Sequence, residues 1–270
     1  MPNSPILHSA LLDISPDIYK SVHINFSEGC ICAKQDEVPL LHRDGKFYRG
    51  YISLILLSVI KKREFEDQAY TEICAQIKAV TSNMPPDYKI RIDSHVHVHM
   101  IPGIFLAMCR ALRDSGREVE HIRFSAETFS IYLKTPQIWK YIRPINIVKA
   151  SLTKFFSFAD RKILRYYGYE DKAGLFYGLG FAGKMYGDHV TIILDKYVEY
   201  ARREHKSLEV LFHPGGIQQG EDFLIGCPDS YKKYYYSEDR PREAEMLKHL
   251  KIIRNQTYKR DHNIDGKKTI

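Results

Sequence analysis

The sequence predicts one α/β domain built on a parallel β-sheet with covering helices. Two observations lead to this class: short β-branched runs alternate with longer helical patterns, and three predicted strands carry histidines at or near their ends. No internal repeat, low-complexity linker or visible boundary divides the 270 residues, so we assign residues 1–270 to a single domain. The alternation alone leaves a β/α barrel and a doubly wound sheet both open.

The first half of the chain supplies two strands and three helices. The run "KSVHINF" is typical of a strand, and "YISLILLSVIKK" and "EFEDQAYTEICAQIKAVTSN" follow as helices, the second with apolar residues at Ile73, Ile77 and Val80. The run "YKIRIDSHVHVH" is the next predicted strand. The helix "IFLAMCRALRDSG" then ends at Gly116, a residue that stops helices in the left-handed conformation.

The second half continues the same alternation. Strands are predicted for "EHIRFS", "AGLFYGLGF" and "SLEVLFH", and helices for 146–167, for "DHVTIILDKYVEYARREH" and from near "RPREAEMLKHLKII" onward. A β/α fold normally opens with a buried strand, yet nothing before Lys20 has that pattern. The beginning of the chain is therefore unusual for this class.

The composition limits the classes of binding partner and the cellular location that we expect. The formal net charge is +7, which attracts acidic surfaces in general, but no nucleic-acid recognition motif is present, so no nucleic-acid partner is expected. The longest apolar runs, such as "ISLILLSVI", are shorter than the ~20 residues of a membrane span. Five cysteines without a secretion signal do not suggest a disulfide framework. We therefore expect a cytoplasmic protein without a membrane span.

The segment "DSHVHVHM" contains the strongest chemical signal. In a regular strand, Asp93, His95, His97 and His99 would share one face, at the carboxyl end where α/β folds place their sites. Imidazole is a common metal ligand, so the pattern indicates a metal site. The alternative is that each histidine is hydrogen-bonded to a neighbouring loop.

Two other predicted strands strengthen the prediction of a functional site. "VHINFSEG" carries His23 within a strand, and "LEVLFHPGG" ends a hydrophobic strand in His213. A lone strand histidine is more often a satisfied core residue than a ligand. Three strands that deliver histidines to the same end of a sheet nevertheless predict a functional site there.

These residues resemble a known family. "IDSHVHVHMIPGIF", "VHINFSEG" and "LEVLFHPGG" look like segments of the YdjC-like carbohydrate deacetylases, a group that includes chitooligosaccharide deacetylases and a hopanoid-biosynthesis relative. "IRFSAE" and "FYGLGFAGKM" support the likeness, which extends over about 21–250. The resemblance implies a parallel β/α barrel-like domain related to polysaccharide deacetylases. It also implies hydrolysis of an N-acetyl group from an amino sugar or oligosaccharide, with release of acetate, and a homodimer.

The resemblance also assigns roles to residues. It implies a divalent metal, Mg²⁺ or Zn²⁺, bound by His23 and His95, and a general acid at His213. The remaining residues support the site or bind the N-acetylated carbohydrate: Asp93, His97, His99, Arg123 and Glu127. For Arg123 and Glu127, a mutual ion pair is an equal alternative to binding sugar hydroxyls. This set suits the reaction, because a metal polarises the amide carbonyl and a histidine protonates the leaving amine.

The chain departs from the family at its beginning. The family's first strand carries an Asn-Ala-Asp-Asp-Phe-Gly-like motif with a metal ligand and a catalytic base, and this sequence has no such motif. We expect a barrel that lacks its first strand, with three interpretations: a fragment of an ordinary deacetylase, a non-catalytic carbohydrate- or metal-binding relative, or an enzyme in which Asp93 or Glu28 replaces the lost ligand. A histidinol-phosphatase-like phosphoesterase is a further class, which the His-Pro-Gly strand end disfavours.

Overall fold

The structure is a computed structural model that describes residues 1–4, 18–82, 84–215 and 236–250, with isolated positions 7, 9, 11 and 15. The strands are β1 (Val22–Ile24), β2 (His42–Arg43), β3 (Lys46–Phe47), β4 (Ile90–Ser94), β5 (Val119–Ile122), β6 (Leu175–Tyr177) and β7 (Leu208–Val210). The helices are α1 (Tyr51–Ile60), α2 (Lys62–Thr81), α3 (Pro102–Asp114), α4 (Phe129–Leu133), α5 (Pro144–Tyr167), α6 (Asp188–Arg203) and α7, helical over 239–250. Short 3₁₀ segments connect several of them.

The chain forms two compact units. The first contains Met1–Glu127 and Ala150–Phe176, and the second contains Thr128–Lys149 and Tyr177–Ile270. Each unit has its own cluster of buried apolar side chains. The single-domain assignment stays a prediction.

The first unit is built on a parallel three-stranded sheet in the order β1-β4-β5. Val22, Ile24, Ile90 and Ile92 are fully buried, as expected when helices cover a parallel sheet. Helix α2 packs on α3 and on strand β1, and it buries the apolar stripe that the sequence predicts. The α/β class and the parallel pairing are therefore confirmed.

Closure of a barrel stays a prediction, because no sheet closes on itself in the described part of the chain. No helix among the described residues is long and apolar enough to cross a membrane. The four cysteines in the described part of the chain are all free, and Cys227 lies outside the described residues.

The second unit packs α4, α6 and β7 around the buried rings of Tyr177 and Tyr197, which stack with centroids 5.0 Å apart. Gly178 follows at φ +129, where an added Cβ would lie 2.6 Å from the carbonyl oxygen of Leu211. Only glycine permits this close backbone approach, and the Leu211 N–H donates to the Tyr177 carbonyl at 2.8 Å. The glycine-rich run therefore fixes the segment that leads to His213.

Candidate active site

The sheet register of the first unit pairs a histidine with an aspartate. Strands β1 and β4 are parallel neighbours, and His23 lies opposite Asp93. The Asp93 Oδ1 atom accepts a hydrogen bond from His23 Nδ1 at 2.8 Å, and its Oδ2 atom lies 2.8 Å from Arg123 Nη1. Asp93 therefore bridges a histidine and an arginine at the carboxyl end of the sheet, and this accounts for both of its oxygens.

Asp93 is charged in this arrangement. Burial by itself would raise its pKa, but the hydrogen bond from His23 and the positive charge of Arg123 outweigh burial. Together they hold the pKa of the carboxyl well below its usual range. Since an ionised carboxylate only accepts hydrogen bonds, His23 carries its proton on Nδ1 and presents the lone pair of Nε2.

Strand β4 does not continue through the histidine run. It ends at Ser94, and His95–Met100 forms a 3₁₀ segment in which Val96 and His97 have φ values of 44° and 58°. The prediction that Asp93, His95, His97 and His99 share one face is therefore wrong. The left-handed turn sends the three histidines to three different sets of neighbours.

His95 reaches the loop after β1. Its Nε2 atom lies 2.9 Å from Glu28 Oε1, and its ring centroid lies 5.9 Å from that of His23 in an edge-on orientation. As at His23, a carboxylate partner on one nitrogen orients the ring and leaves the other nitrogen, here Nδ1, for a ligand. Metal-bound histidines in proteins have this type of support.

The loop that carries Glu28 is held by buried polar side chains. Asn25 is fully buried, and its side-chain oxygen accepts the backbone N–H groups of Ser27 and Glu28 at 3.0 and 3.3 Å. From α2, the Gln76 amide binds both the N–H and the C=O of Asn25, at 2.9 and 2.7 Å. Glu28 is therefore placed by a connected network, and the sequence alone did not reveal this role.

His97 and His99 support the structure around the site. His97 Nδ1 lies 2.7 Å from Ser125 Oγ, and its ring packs edge-on against Phe176. His99 is fully buried; its Nε2 donates to the Arg123 carbonyl at 2.9 Å, while its Nδ1 bonds Ser94 Oγ. Both ring nitrogens of His99 are thus engaged in hydrogen bonds, and its supporting role stays a prediction.

The last two predicted residues of this unit lie after β5. Arg123 binds Asp93 as described and is largely buried, and Glu127 is 1% exposed. The structure thus gives Arg123 a carboxylate partner that the sequence analysis did not name. A contact of either residue with sugar hydroxyls stays a prediction.

His213 belongs to the second unit, three residues after β7 ends. Its backbone N–H donates to Glu243 Oε2 at 2.6 Å, and the other Glu243 oxygen accepts the Met185 N–H at 3.1 Å. Burial raises the pKa of Glu243, although these two hydrogen bonds oppose the shift. Glu243 therefore anchors the His-Pro-Gly segment to α7, a role that the sequence analysis missed.

The donor set of the first unit fits part of a metal site. With metal–nitrogen distances of about 2.1 Å, two imidazoles on one ion have centroids roughly 5–6 Å apart, and His23 and His95 are 5.9 Å apart. Asp93 and Glu28 are each engaged with one of these histidines, and a ligating role for either stays a prediction. Among the described residues, no group of three or more His, Cys, Asp or Glu side chains is arranged to hold a metal ion.

The chain is similar to known proteins over most of its length. The model of the family described as YdjC-like protein matches residues 1–254. A Xenopus laevis protein named carbohydrate deacetylase is 25% identical over 254 residues, an alignment that covers 84% of this chain and 73% of that protein.

Proposed function

Since the chain belongs to the YdjC-like protein family, we propose that it is a metal-dependent carbohydrate deacetylase. The reaction is hydrolysis of an N-acetyl group on an amino sugar or oligosaccharide, which releases acetate and a free amine. The name of the Xenopus laevis relative supports the substrate class. The observation that carries the proposal is the pair of histidines His23 and His95, each oriented by a carboxylate.

In this proposal His23 Nε2 and His95 Nδ1 hold a divalent ion, with Zn²⁺ and Mg²⁺ as the candidates. When bound, the ion would polarise the acetamide carbonyl and lower the pKa of a water molecule. Asp93 and Glu28 keep the two rings in the required tautomers and orientations. Because Arg123 neutralises the charge of Asp93, this support does not place an uncompensated anion in the site.

We assign His213 the role of general acid. An amine leaves an amide only when its nitrogen is protonated, and a positioned imidazole that delivers this proton is typically worth about 10²–10⁴-fold in rate. The hydrogen bond from the His213 backbone to Glu243 fixes the main chain under the imidazole. His97, Arg123 and Glu127 are assigned to supporting the site or contacting the sugar.

The decisive experiment measures metal content and acetate release on the same preparations. The wild-type chain and His95→Ala are dialysed, analysed for metal, and incubated with N-acetylglucosamine oligomers. We expect about one divalent ion per wild-type chain, lost in His95→Ala, together with acetate release by the wild type alone. His121→Ala, a histidine of β5 outside the proposed ligand set, is the matched control and should retain the ion. A folded wild-type chain that binds no metal and releases no acetate would contradict the proposal.

A further inference from the structure

The second unit exposes an unusual number of large apolar side chains within one short segment. Between 128 and 149, six are exposed, from 44% for Tyr141 to 63% for Leu133: Leu133, Trp139, Tyr141, Ile145, Ile147 and Val148. Ile145 and Val148 lie three residues apart on α5 and are therefore neighbours on the helix surface. Single exposed apolar residues are ordinary, but clusters of them mark binding surfaces.

The segment is anchored, so this exposure is a fixed feature of the unit. Ile138 is buried in the apolar cluster of the second unit, and Ile142 packs against that cluster. The Trp139 Nε1–H donates to the Tyr132 carbonyl at 3.0 Å, and the buried Asn146 amide donates to the carbonyls of Gly180 and Ala182. The segment thus has fixed contacts with the rest of the unit, while its six exposed apolar side chains are presented to solvent.

All charged residues of the same segment are basic. It contains Lys134, Lys140, Arg143 and Lys149, all exposed, and no Asp or Glu between 128 and 149. These 22 residues therefore carry +4 of the chain's formal +7. We call the six apolar and four basic side chains together the basic apolar surface.

We propose that the basic apolar surface binds an anionic phospholipid membrane. Lysine and arginine attract acidic headgroups, at roughly 1 kcal/mol each, while tryptophan and tyrosine favour the level of the headgroups. Ile145 and Val148 then enter the boundary with the acyl chains, as the apolar face of an interfacial helix does. The protein lies on the membrane rather than crossing it. This inference does not rest on the proposed activity.

The charge pattern favours this occupant over two others. A second copy seated on the same surface would oppose four positive charges with four more, without an acidic residue in the segment to compensate them. Nucleic acid would use the lysines and the arginine, but most of its contacts are to phosphate and sugar, which do not bury the aliphatic side chains of Ile145, Ile147 and Val148. An acidic lipid surface can bind the basic side chains through its headgroups and can also bury the apolar side chains.

The chain offers a direct optical test, because Trp139 is its only tryptophan. Full-length protein is titrated with vesicles of phosphatidylcholine and with vesicles that also contain phosphatidylglycerol, while intrinsic fluorescence and co-sedimentation are recorded. We expect a blue shift of the emission and co-sedimentation only with the acidic vesicles, and weaker binding at high salt. Equal binding to the neutral vesicles, or no binding to either, overturns the proposal.

Two double variants test the basic and the apolar side chains of the surface separately. Lys140→Glu/Arg143→Glu and Ile145→Ser/Val148→Ser should each weaken vesicle binding by about tenfold or more, with unchanged circular dichroism and thermal midpoint. The control is Ile192→Ser on α6, which removes an exposed apolar residue outside the basic apolar surface and should leave binding unchanged. Wild-type binding by both surface variants overturns the proposal. So does a dimer that Ile145→Ser/Val148→Ser converts to monomer, or tighter binding of a DNA duplex than of acidic vesicles.

Discussion

At the scale of single residues, each of the two candidate ligands uses one ring nitrogen to bind a carboxylate. His23 does so through Nδ1 and His95 through Nε2. Opposite nitrogens are therefore left for an ion, and the tautomers follow from the acceptor-only character of the carboxylates. The contacts also predict that losing a carboxylate weakens metal binding without removing a ligand.

Glu28 tests this point. Glu28→Ala removes the acceptor for His95 Nε2–H, so we expect metal affinity to fall by about 10–100-fold, with Glu28→Gln intermediate because its amide oxygen still accepts. Isothermal titration with Zn²⁺ or a Co²⁺ absorption spectrum measures the change. Glu37→Ala, an exposed glutamate of the same loop region, should bind metal like the wild type. An unchanged affinity in Glu28→Ala would remove Glu28 from the site.

Val96 has a backbone conformation that its side chain disfavours. At φ 44° a β-branched residue costs roughly 1–2 kcal/mol, and Val96 is 48% exposed, so little packing compensates. Val96→Asn should raise the free energy of unfolding by about 1 kcal/mol, since asparagine tolerates this region. Urea denaturation measures the change, with Val59→Asn on the regular helix α1 as a control that should leave stability nearly unchanged. A less stable Val96→Asn would show that the valine side chain packs more favourably than its exposure implies.

At the scale of elements, helix α2 both packs on the sheet and holds the loop after β1 in place. Its buried Gln76 and Glu72 point into the loop after β1, where Gln76 binds the backbone of Asn25 and Glu72 accepts the N–H groups of Cys32 and Ala33. Burial raises the pKa of Glu72, although its hydrogen bonds oppose this shift. The helix thereby links the sheet to the position of Glu28.

Gln76→Ala would leave the Asn25 N–H and C=O unpaired in the interior. Each buried unsatisfied group costs about 1–3 kcal/mol, so we expect the free energy of unfolding to fall by about 2–4 kcal/mol. Metal affinity should fall as well, because Glu28 loses its support. Lys78→Ala, an exposed change on the same helix, should alter neither quantity. Loss of stability with full metal affinity would separate the network from the site.

Helix α5 contains a buried carboxyl group without a hydrogen-bond partner among the described residues. Asp160 is fully buried, and burial raises its pKa to about 9. Tyr51 and Cys109 lie near enough to interact electrostatically, and burial raises the pKa of both, so they stay neutral. Asp160 therefore stays protonated in the folded protein at pH values where the unfolded chain ionises it.

This protonation gives the stability a definite pH dependence. Because the folded state binds more protons between about pH 4 and about pH 9, stability should fall as pH rises through that window. Asp160→Asn should flatten the slope and be more stable than the wild type by about 1 kcal/mol or more near about pH 8. Thermal melts across pH measure both effects. Asp87→Asn, an exposed change, should keep the wild-type slope, and an unchanged slope in Asp160→Asn would show that other groups cause it.

The sequence predicted the elements better than their ends. Strands β1 and β4 lie within predicted strands and β5 overlaps one, starting a residue earlier than predicted, because β-branched runs between helical patterns mark a buried parallel sheet. The end of β4 could not be predicted, since a β-branched residue such as Val96 disfavours a left-handed backbone. The Ser94 hydroxyl stabilises this turn, because its Oγ accepts the His99 backbone N–H and also bonds His99 Nδ1. Such contacts exist only after folding.

The residues of the candidate site were likewise predicted only in part. Histidines on three strands predicted a functional site, and the family resemblance selected His23 and His95 as the ligands. The structure brings the rings of these two histidines together. The roles of Glu28, Gln76 and Glu243 depend on loop geometry and on residues distant in sequence, which no local pattern encodes. The Asn-to-Glu spacing in "NFSEG", typical of a side-chain-capped turn, is the one signal that was present.

At the scale of the whole molecule, the two units expose apolar surface in different electrostatic settings. The basic apolar surface lacks acidic residues, whereas α1 exposes Ile52, Leu56, Val59 and Ile60 beside a balanced run: 61–67 contains three basic and three acidic residues. A neutral apolar stripe suits a second copy of the chain better than a charged one does. We therefore propose α1 as the contact of the expected homodimer.

Leu56→Glu tests this assignment. A carboxylate in the middle of an apolar contact is costly to desolvate, so we expect the variant to sediment as a monomer at concentrations where the wild type is a dimer. Lys134→Glu, a charge change in the basic apolar surface, is the matched control and should remain dimeric. A monomeric wild type would contradict the expectation of a homodimer.

The position of the His23 imidazole depends on the strand register that places His23 opposite Asp93. A shift of β1 by one residue would turn His23 to the other face of the sheet, so an imidazole in the correct position exists only in the correctly paired sheet. An ion that binds there therefore selects the paired state over every locally opened one. We expect zinc to slow amide hydrogen exchange in β1 and β4 most strongly, which would make the edge strand of the sheet a reporter of occupancy at the site.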